Sequence, residues 1–157
     1  MQYNLHHVQK NHHKLISVFN EIVKKNSKAF LVMVGDGTLK EQIIEEIRSY
    51  GLQEKYVQFA HREDIPEILK SLDVFIFPSL YEGLPVSLVE AQVAGVPCIV
   101  SDRIISEAIL SSTTVQLSLE DSDSKWASIA TKVYPSHGIS KELQKYNLND
   151  EIIYTIE

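Results

Sequence analysis

Two carboxylates, Glu82 and Glu90, stand with seven residues between them in a largely apolar stretch, Phe75 to Asp102. A charge in such surroundings is costly unless something binds it. Gly83, Leu84 and Pro85 lie between them and read as a turn that opens a helix. Proline at the first helical position loses no useful donor, and glycine lets the backbone pass close to a ligand. The free amides of such a helix start favour a phosphate. Glu90 shares a helix face with Val86 and Ala94. It has two readings: a structural hydrogen bond or salt bridge, or acceptance of hydrogen bonds from vicinal hydroxyls, as an acidic residue does for ribose in dinucleotide folds. Glu82 lies just outside the helix start. A diphosphate would repel it there, which suits it to sugar hydroxyls or neighbouring backbone donors. The chemistry indicated is recognition of a polyhydroxylated, phosphorylated ligand.

Other candidates are weaker alone. Gly35-Asp36-Gly37 follows a strand-like run and reads as a turn that lets backbone approach a ligand, or as a plain strand-to-helix turn in which Asp36 caps the next helix. Lys10 and Asn11 open a helix, where a lysine is ordinarily solvated. His61 and Arg62 are loop surface or part of a pocket for a base. Cys98, the single cysteine, opens an apolar strand and reads as a buried, inert thiol. His6, His7, His12 and His13 read as a solvated terminus rather than a metal site, and no cysteine or carboxylate spacing suggests zinc. A net charge of −6 without a basic stripe argues against nucleic acid as a partner. No apolar run approaches the length of a membrane span, so a soluble, cytoplasmic chain is expected.

Strand-like apolar runs alternate with helix-like ones, the pattern of a parallel α/β sheet flanked by helices. Strands are expected at Ala29 to Val34, around Val57 and Phe59, at Val74 to Phe77, Pro97 to Val100 and Thr114 to Leu117. Helices are expected at Asn11 to Lys25, through Leu39, Ile43, Ile44 and Ile47 up to Gly51, and at Ile65 to Leu72 behind an Asp64 cap. Two more follow, from Pro85 to Ala94 and from about Ser124. The Pro85–Ala94 helix is apolar nearly all round, which predicts burial. Residues 1–157 read as one domain, with an irregular or helical tail over 135–157 and a helix around Lys141 to Tyr146.

The glutamate pair in an E-G-x-P turn, followed by A-G-x-P at Ala94 to Pro97, resembles family 4 retaining glycosyltransferases of the GT-B fold. Lys10-Asn11, Val34 to Gly37, His61 to Ile65 and Asp73 to Ser79 agree in order, and bacterial capsular or exopolysaccharide enzymes give the nearest flavour. The resemblance implies the donor-binding, Rossmann-like half of such an enzyme, one half of a GT-B fold. Glu90 would hold ribose and Glu82 the sugar. Lys10 would neutralise the diphosphate, the amides of Gly83 and Leu84 would face it, and Ala60 to Arg62 would sit by the base. It implies a nucleotide-diphosphate-sugar donor, foremost a UDP-sugar, with no metal or cofactor. It implies as partners an N-terminal Rossmann-like acceptor domain missing from this chain, a peripheral membrane contact of the full-length enzyme, and self-association through the exposed domain face. Met1 to Gln9 lacks the family's G-R arginine and a convincing strand, and Phe59-Ala60-His61 is one residue short of the family's loop. The chain is therefore expected to be inactive alone. Two other readings are a Rossmann-like binding or regulatory module without activity, and half of a nucleotide-sugar epimerase.

Overall fold

The computed structural model describes residues 8–133 and 153–156. Its elements are helix α1 (His12–Lys25), β1 (Phe30–Val34), α2 (Lys40–Ser49), β2 (Tyr56–Phe59), α3 (Ile65–Lys70), β3 (Val74–Phe77), α4 (Val86–Val93), β4 (Cys98–Ser101), β5 (Thr114–Leu117), α5 (Asp123–Val133) and β6 (Ile153–Ile156). Every strand–helix alternation expected from hydrophobic patterning up to α5 is present, with ends shifted by at most a few residues. Short 3-10 turns at Gln53–Lys55 and Ser106–Ala108 were not signalled by periodicity.

The six strands form one sheet in the order β2-β1-β6-β3-β4-β5, and all pairings are parallel. β1, β3 and β4 are buried along their whole length, which explains why they read as continuous apolar runs rather than alternating ones. β2 is half-buried at one edge. The helices contact one another in two sets, α1 with α2 and α5, and α3 with α4. Trp126 on α5 is fully buried, its indole nitrogen donating to the Ser118 carbonyl. Lys14 joins α1 to this end of the molecule through Asp123 (2.7 Å) and the Asp121 carbonyl.

Three expectations need correcting. The tail expected to be irregular or helical contributes β6, which pairs with β1 on one side and β3 on the other. Its run of β-branched and aromatic residues, Ile153, Tyr154, Thr155 and Ile156, is the physical reason. The helix expected around Lys141 to Tyr146 lies outside the described residues. Helix α4 is not buried all round: Val86, Glu90 and Val93 form an exposed face, and only Ser87, Leu88, Ala91 and Gln92 are buried. Asp64 precedes α3 but makes no side-chain cap, because Arg62 takes its carboxylate with two hydrogen bonds of 2.7 and 2.6 Å.

Helix α4 stops as expected. Gly95 sits at φ 79 and donates to the Gln92 carbonyl, while Val96 donates to the Ala91 carbonyl. That pair of bonds is the Schellman motif, and its left-handed residue favours glycine. Among the described residues no helix is long and apolar enough to cross a membrane.

Candidate functional site

β2 lies beyond β1 on one side of the sheet, while β3, β4 and β5 run outward on the other, so the strand order reverses around β6. In open α/β sheets the crevice at such a reversal, beyond the carboxyl ends of the strands, is where ligands bind. The segment before α1 is folded back onto this edge. Leu80 donates its amide to the Gln9 carbonyl (2.7 Å), and Asn11 Nδ2 donates to the Pro78 carbonyl (3.1 Å). Asn11 makes the bend: it is the non-glycine residue with positive φ (54°) among those described, and its Oδ1 caps the Lys14 amide. Asparagine tolerates that conformation better than most residues.

This fold-back brings Lys10 to the turn after β3. Its ammonium lies 3.0 Å from Glu82 Oε1 and 4.8 Å from the centre of the Phe77 ring. Glu82 is held a second time, by Ser79, whose hydroxyl donates to the same oxygen at 3.0 Å. Ser79 is fully buried, and its carbonyl accepts from Ser101 Oγ at 2.6 Å. Glu82 is thus tied to the ends of both β3 and β4. Residues 9–10 and 81–84, with Val86 and Ser87, line an open cleft of about 480 Å³. Its wall includes Gly83, Leu84 and Ser87 beside the two charges. Pro85 occupies the cap position of α4, with no side-chain cap there, and Leu84 is 75% exposed. The amides of Gly83 and Leu84 have no acceptor among the described residues.

Glu90 differs from expectation. Being exposed, it bears no burial cost, and among the described residues its carboxylate has no hydrogen-bond or ion-pair partner. The structural hydrogen bond allowed for it in the sequence reading is therefore missing within that region. Glu90 instead stands at the rim of a small recess formed by Val34, Ile65, Phe75 and Ser87. Ser87 borders both this recess and the larger cleft.

The loops after β1 and β2 share the carboxyl edge with these residues, but the bonds they make are with one another. Gly35 (φ 141) donates to the Phe59 carbonyl, and Gln58 Nε2 donates to the Gly35 carbonyl. Asp36 does not cap α2, as one reading had it; its carboxylate accepts from the adjacent Gly37 amide at 2.9 Å. The α2 cap position is Leu39, too far along the chain for Asp36 to serve. Arg62 stacks over Phe59 (4.8 Å) while gripping Asp64, so its guanidinium is a strut of the loop. His61 is exposed.

Of the four clustered histidines, His6 and His7 lie outside the described residues. His13 pairs with Glu46 at 2.5 Å. Among the described residues no group of histidine, cysteine, aspartate and glutamate is arranged to hold a metal. Cys98 is buried, donates to the Val96 carbonyl, and burial pushes its thiol up to about 12. Sequence reasoning passed over Ser79 and Gln92. A polar residue just past the Pro78 that ends a fully apolar strand was the available signal for the first, and an amide within an apolar helix for the second.

A parallel sheet with a charged cleft at its topological reversal, beside an uncapped helix start, defines a Rossmann-like protein whose cleft lies where such sheets place their ligands. The chain belongs to the glycosyl transferases group 1 family, whose family model matches residues 4–133. It is 38% identical over 144 residues to the putative glycosyltransferase EpsF of Bacillus subtilis, covering 90% of this chain and 37% of EpsF. It is 44% identical over 72 residues to an Escherichia coli UDP-Gal:alpha-D-GlcNAc-diphosphoundecaprenol alpha-1,3-galactosyltransferase, covering 45% of this chain and 19% of that enzyme. The chain thus spans little more than a third of the first relative and less of the second. Among solved structures it resembles Anabaena HepE in complex with UDP and glucose (TM-score 0.65, 17% identity, 91% of this chain and 38% of that one). It also resembles TarM (TM-score 0.73, 19% identity, 80% of this chain and 26% of that one). At those identities the likeness shows the fold, which is that of GT-B glycosyltransferases.

Proposed function

We propose that this chain is the nucleotide-sugar-binding half of a retaining glycosyltransferase that passes a sugar to a polysaccharide or lipid-linked acceptor. The observation that carries the reading is the meeting of Lys10 and Glu82 at the mouth of the cleft beside the uncapped start of α4. A diphosphate placed there meets an ammonium and outward-facing amides, while a sugar attached to it meets the Glu82 carboxylate. Glu90, exposed about one turn further along the helix and without a partner among the described residues, suits the ribose hydroxyls. Gly35, Asp36, Gly37 and His61 line the edge where the base would lie, with Arg62 stiffening that loop.

Such a site works by positioning the donor and stabilising the negative charge that builds on the leaving diphosphate. Lys10 and the helix start supply that stabilisation. The acceptor side belongs to a second Rossmann-like domain, and the apolar residues around the cleft fit such a cover: Tyr81 is 63% exposed, with Leu84 and Val86 beside it. Without that domain the chain binds donor but does not turn over. The parent enzyme would act at the cytoplasmic face of a membrane, where a lipid-linked acceptor is reached by peripheral contact. UDP-sugars are the favoured donors: the solved HepE complex holds UDP and glucose, and the E. coli relative is named for UDP-Gal.

Calorimetric titration with uridine and guanosine diphosphates and UDP-sugars tests the reading. Saturable binding that weakens in Glu90→Ala supports it, and absence of any nucleotide binding refutes it.

A further inference from the structure

We propose that Lys10 and Glu82 form an exchangeable ion pair, each member of which is the receptor for one part of the donor. The inference rests on the donor-binding reading above and concerns how that site tells a sugar-linked diphosphate from a bare one. In the structure Lys10 is paired, 3.0 Å from Glu82, and the two side chains are 24% and 11% exposed. A diphosphate therefore meets an ammonium whose charge is already partly neutralised by a carboxylate.

The two partners are not equally free to move. Glu82 is fixed from behind by the Ser79 hydroxyl, and Ser79 is fixed in turn by Ser101 through its carbonyl. Both serines are fully buried. Lys10 is a point charge on a flexible stem with three donors. An anion entering the cleft thus draws Lys10 away and leaves Glu82 where it was, still bonded to Ser79 and with lone pairs open. A bare nucleoside diphosphate or pyrophosphate strands that carboxylate without its counter-ion. A sugar diphosphate does not, because its hydroxyls donate to Glu82 as Lys10 leaves. The site accordingly prefers the sugar-linked ligand, and loss of the sugar lets Lys10 return to Glu82 and speeds release of the diphosphate.

Glu82→Gln removes the charge while keeping an oxygen for Ser79. UDP should then bind about two- to fivefold tighter than to the wild type, the gain from a cation no longer held by a partly exposed partner. The preference for UDP-glucose, UDP-galactose or UDP-N-acetylglucosamine over UDP should shrink at the same time. A second measurement uses the unaltered chain: with carbon-13 in glutamate carboxylates, inorganic pyrophosphate should shift the Glu82 resonance as Lys10 leaves it. If the wild type binds UDP but the variant binds it equally or more weakly, or if the Glu82 signal is unmoved by bound pyrophosphate, the exchange is refuted and the donor-binding reading survives. If the wild type binds no nucleotide or nucleotide-sugar, both fall together.

Discussion

The two ends of helix α4 are built on opposite rules. At its carboxyl end Gly95 and Val96 close the Schellman motif, and the buried Gln92 side chain makes five hydrogen bonds. It donates to the Leu88 and Ala108 carbonyls and accepts from the Leu110 and Ser111 amides and the Thr114 hydroxyl. At its amino end Pro85 supplies no side-chain cap, and the preceding residues Gly83 and Leu84 are exposed, their amides without an acceptor among the described residues. One eight-residue helix therefore puts its satisfied polar groups at the end that holds the fold together. The end left unsatisfied is the one that faces the cleft.

Substitutions at the two ends should accordingly move different observables. The largest effect is expected for Gln92→Ala, which strands several backbone groups and should lower stability by about 2–3 kcal/mol. Denaturant melting would show it, with UDP affinity per folded molecule unchanged; an affinity loss would break the division. Lys10→Ala should weaken diphosphate binding by about 1.5–3 kcal/mol, the range for a charge-assisted hydrogen bond, with a much smaller change in melting. Calorimetry and melting on the same sample separate the two. Glu90→Ala should cost about 1–3 kcal/mol in nucleotide binding and nothing measurable in stability, since the side chain is exposed and unpartnered among the described residues. Equal affinity in the two proteins would remove Glu90 from the site.

The smallest effect belongs to Cys98, which lies at the closed end. Burial raises its thiol from the ordinary 9.0 to about 12, so the folded chain keeps a proton that the unfolded chain releases. Its contribution to stability is complete below pH 9 and is lost progressively as the pH rises toward 12. Denaturation midpoints should fall more steeply with alkali in the wild type than in Cys98→Ala, and thiol reagents should label the native chain slowly at neutral pH.

Most of the sheet was legible because its strands are buried on both sides and read as unbroken apolar runs between glycine and proline stops. The candidate site stood out in the sequence for a different reason: glutamates and glycines interrupt those runs where a strand must turn into a helix. What could not be read depends on partners distant in sequence. Gln92 finds its acceptors and donors sixteen to twenty-two residues on, across a loop with no periodicity of its own. Val86 and Val93 looked like core residues, yet they are exposed because no described element covers that face of α4. Asp64 looked like a cap until Arg62, two residues before it, proved the better partner. β6 was missed because four residues after a polar stretch carry too little pattern to announce a strand.

The position of β6 has a consequence for how the molecule is made. β1 and β2 form one block, and β3, β4 and β5 another; the described sheet joins them only through a strand that comes last in sequence. Each block can pair internally as it leaves the ribosome, but their junction must wait until Ile153 to Ile156 has been synthesised. Until then two facing strand edges stay open, the kind of surface on which nascent chains stick to one another. Chaperone dependence during synthesis, more than the stability of the finished sheet, is where that late strand would be felt.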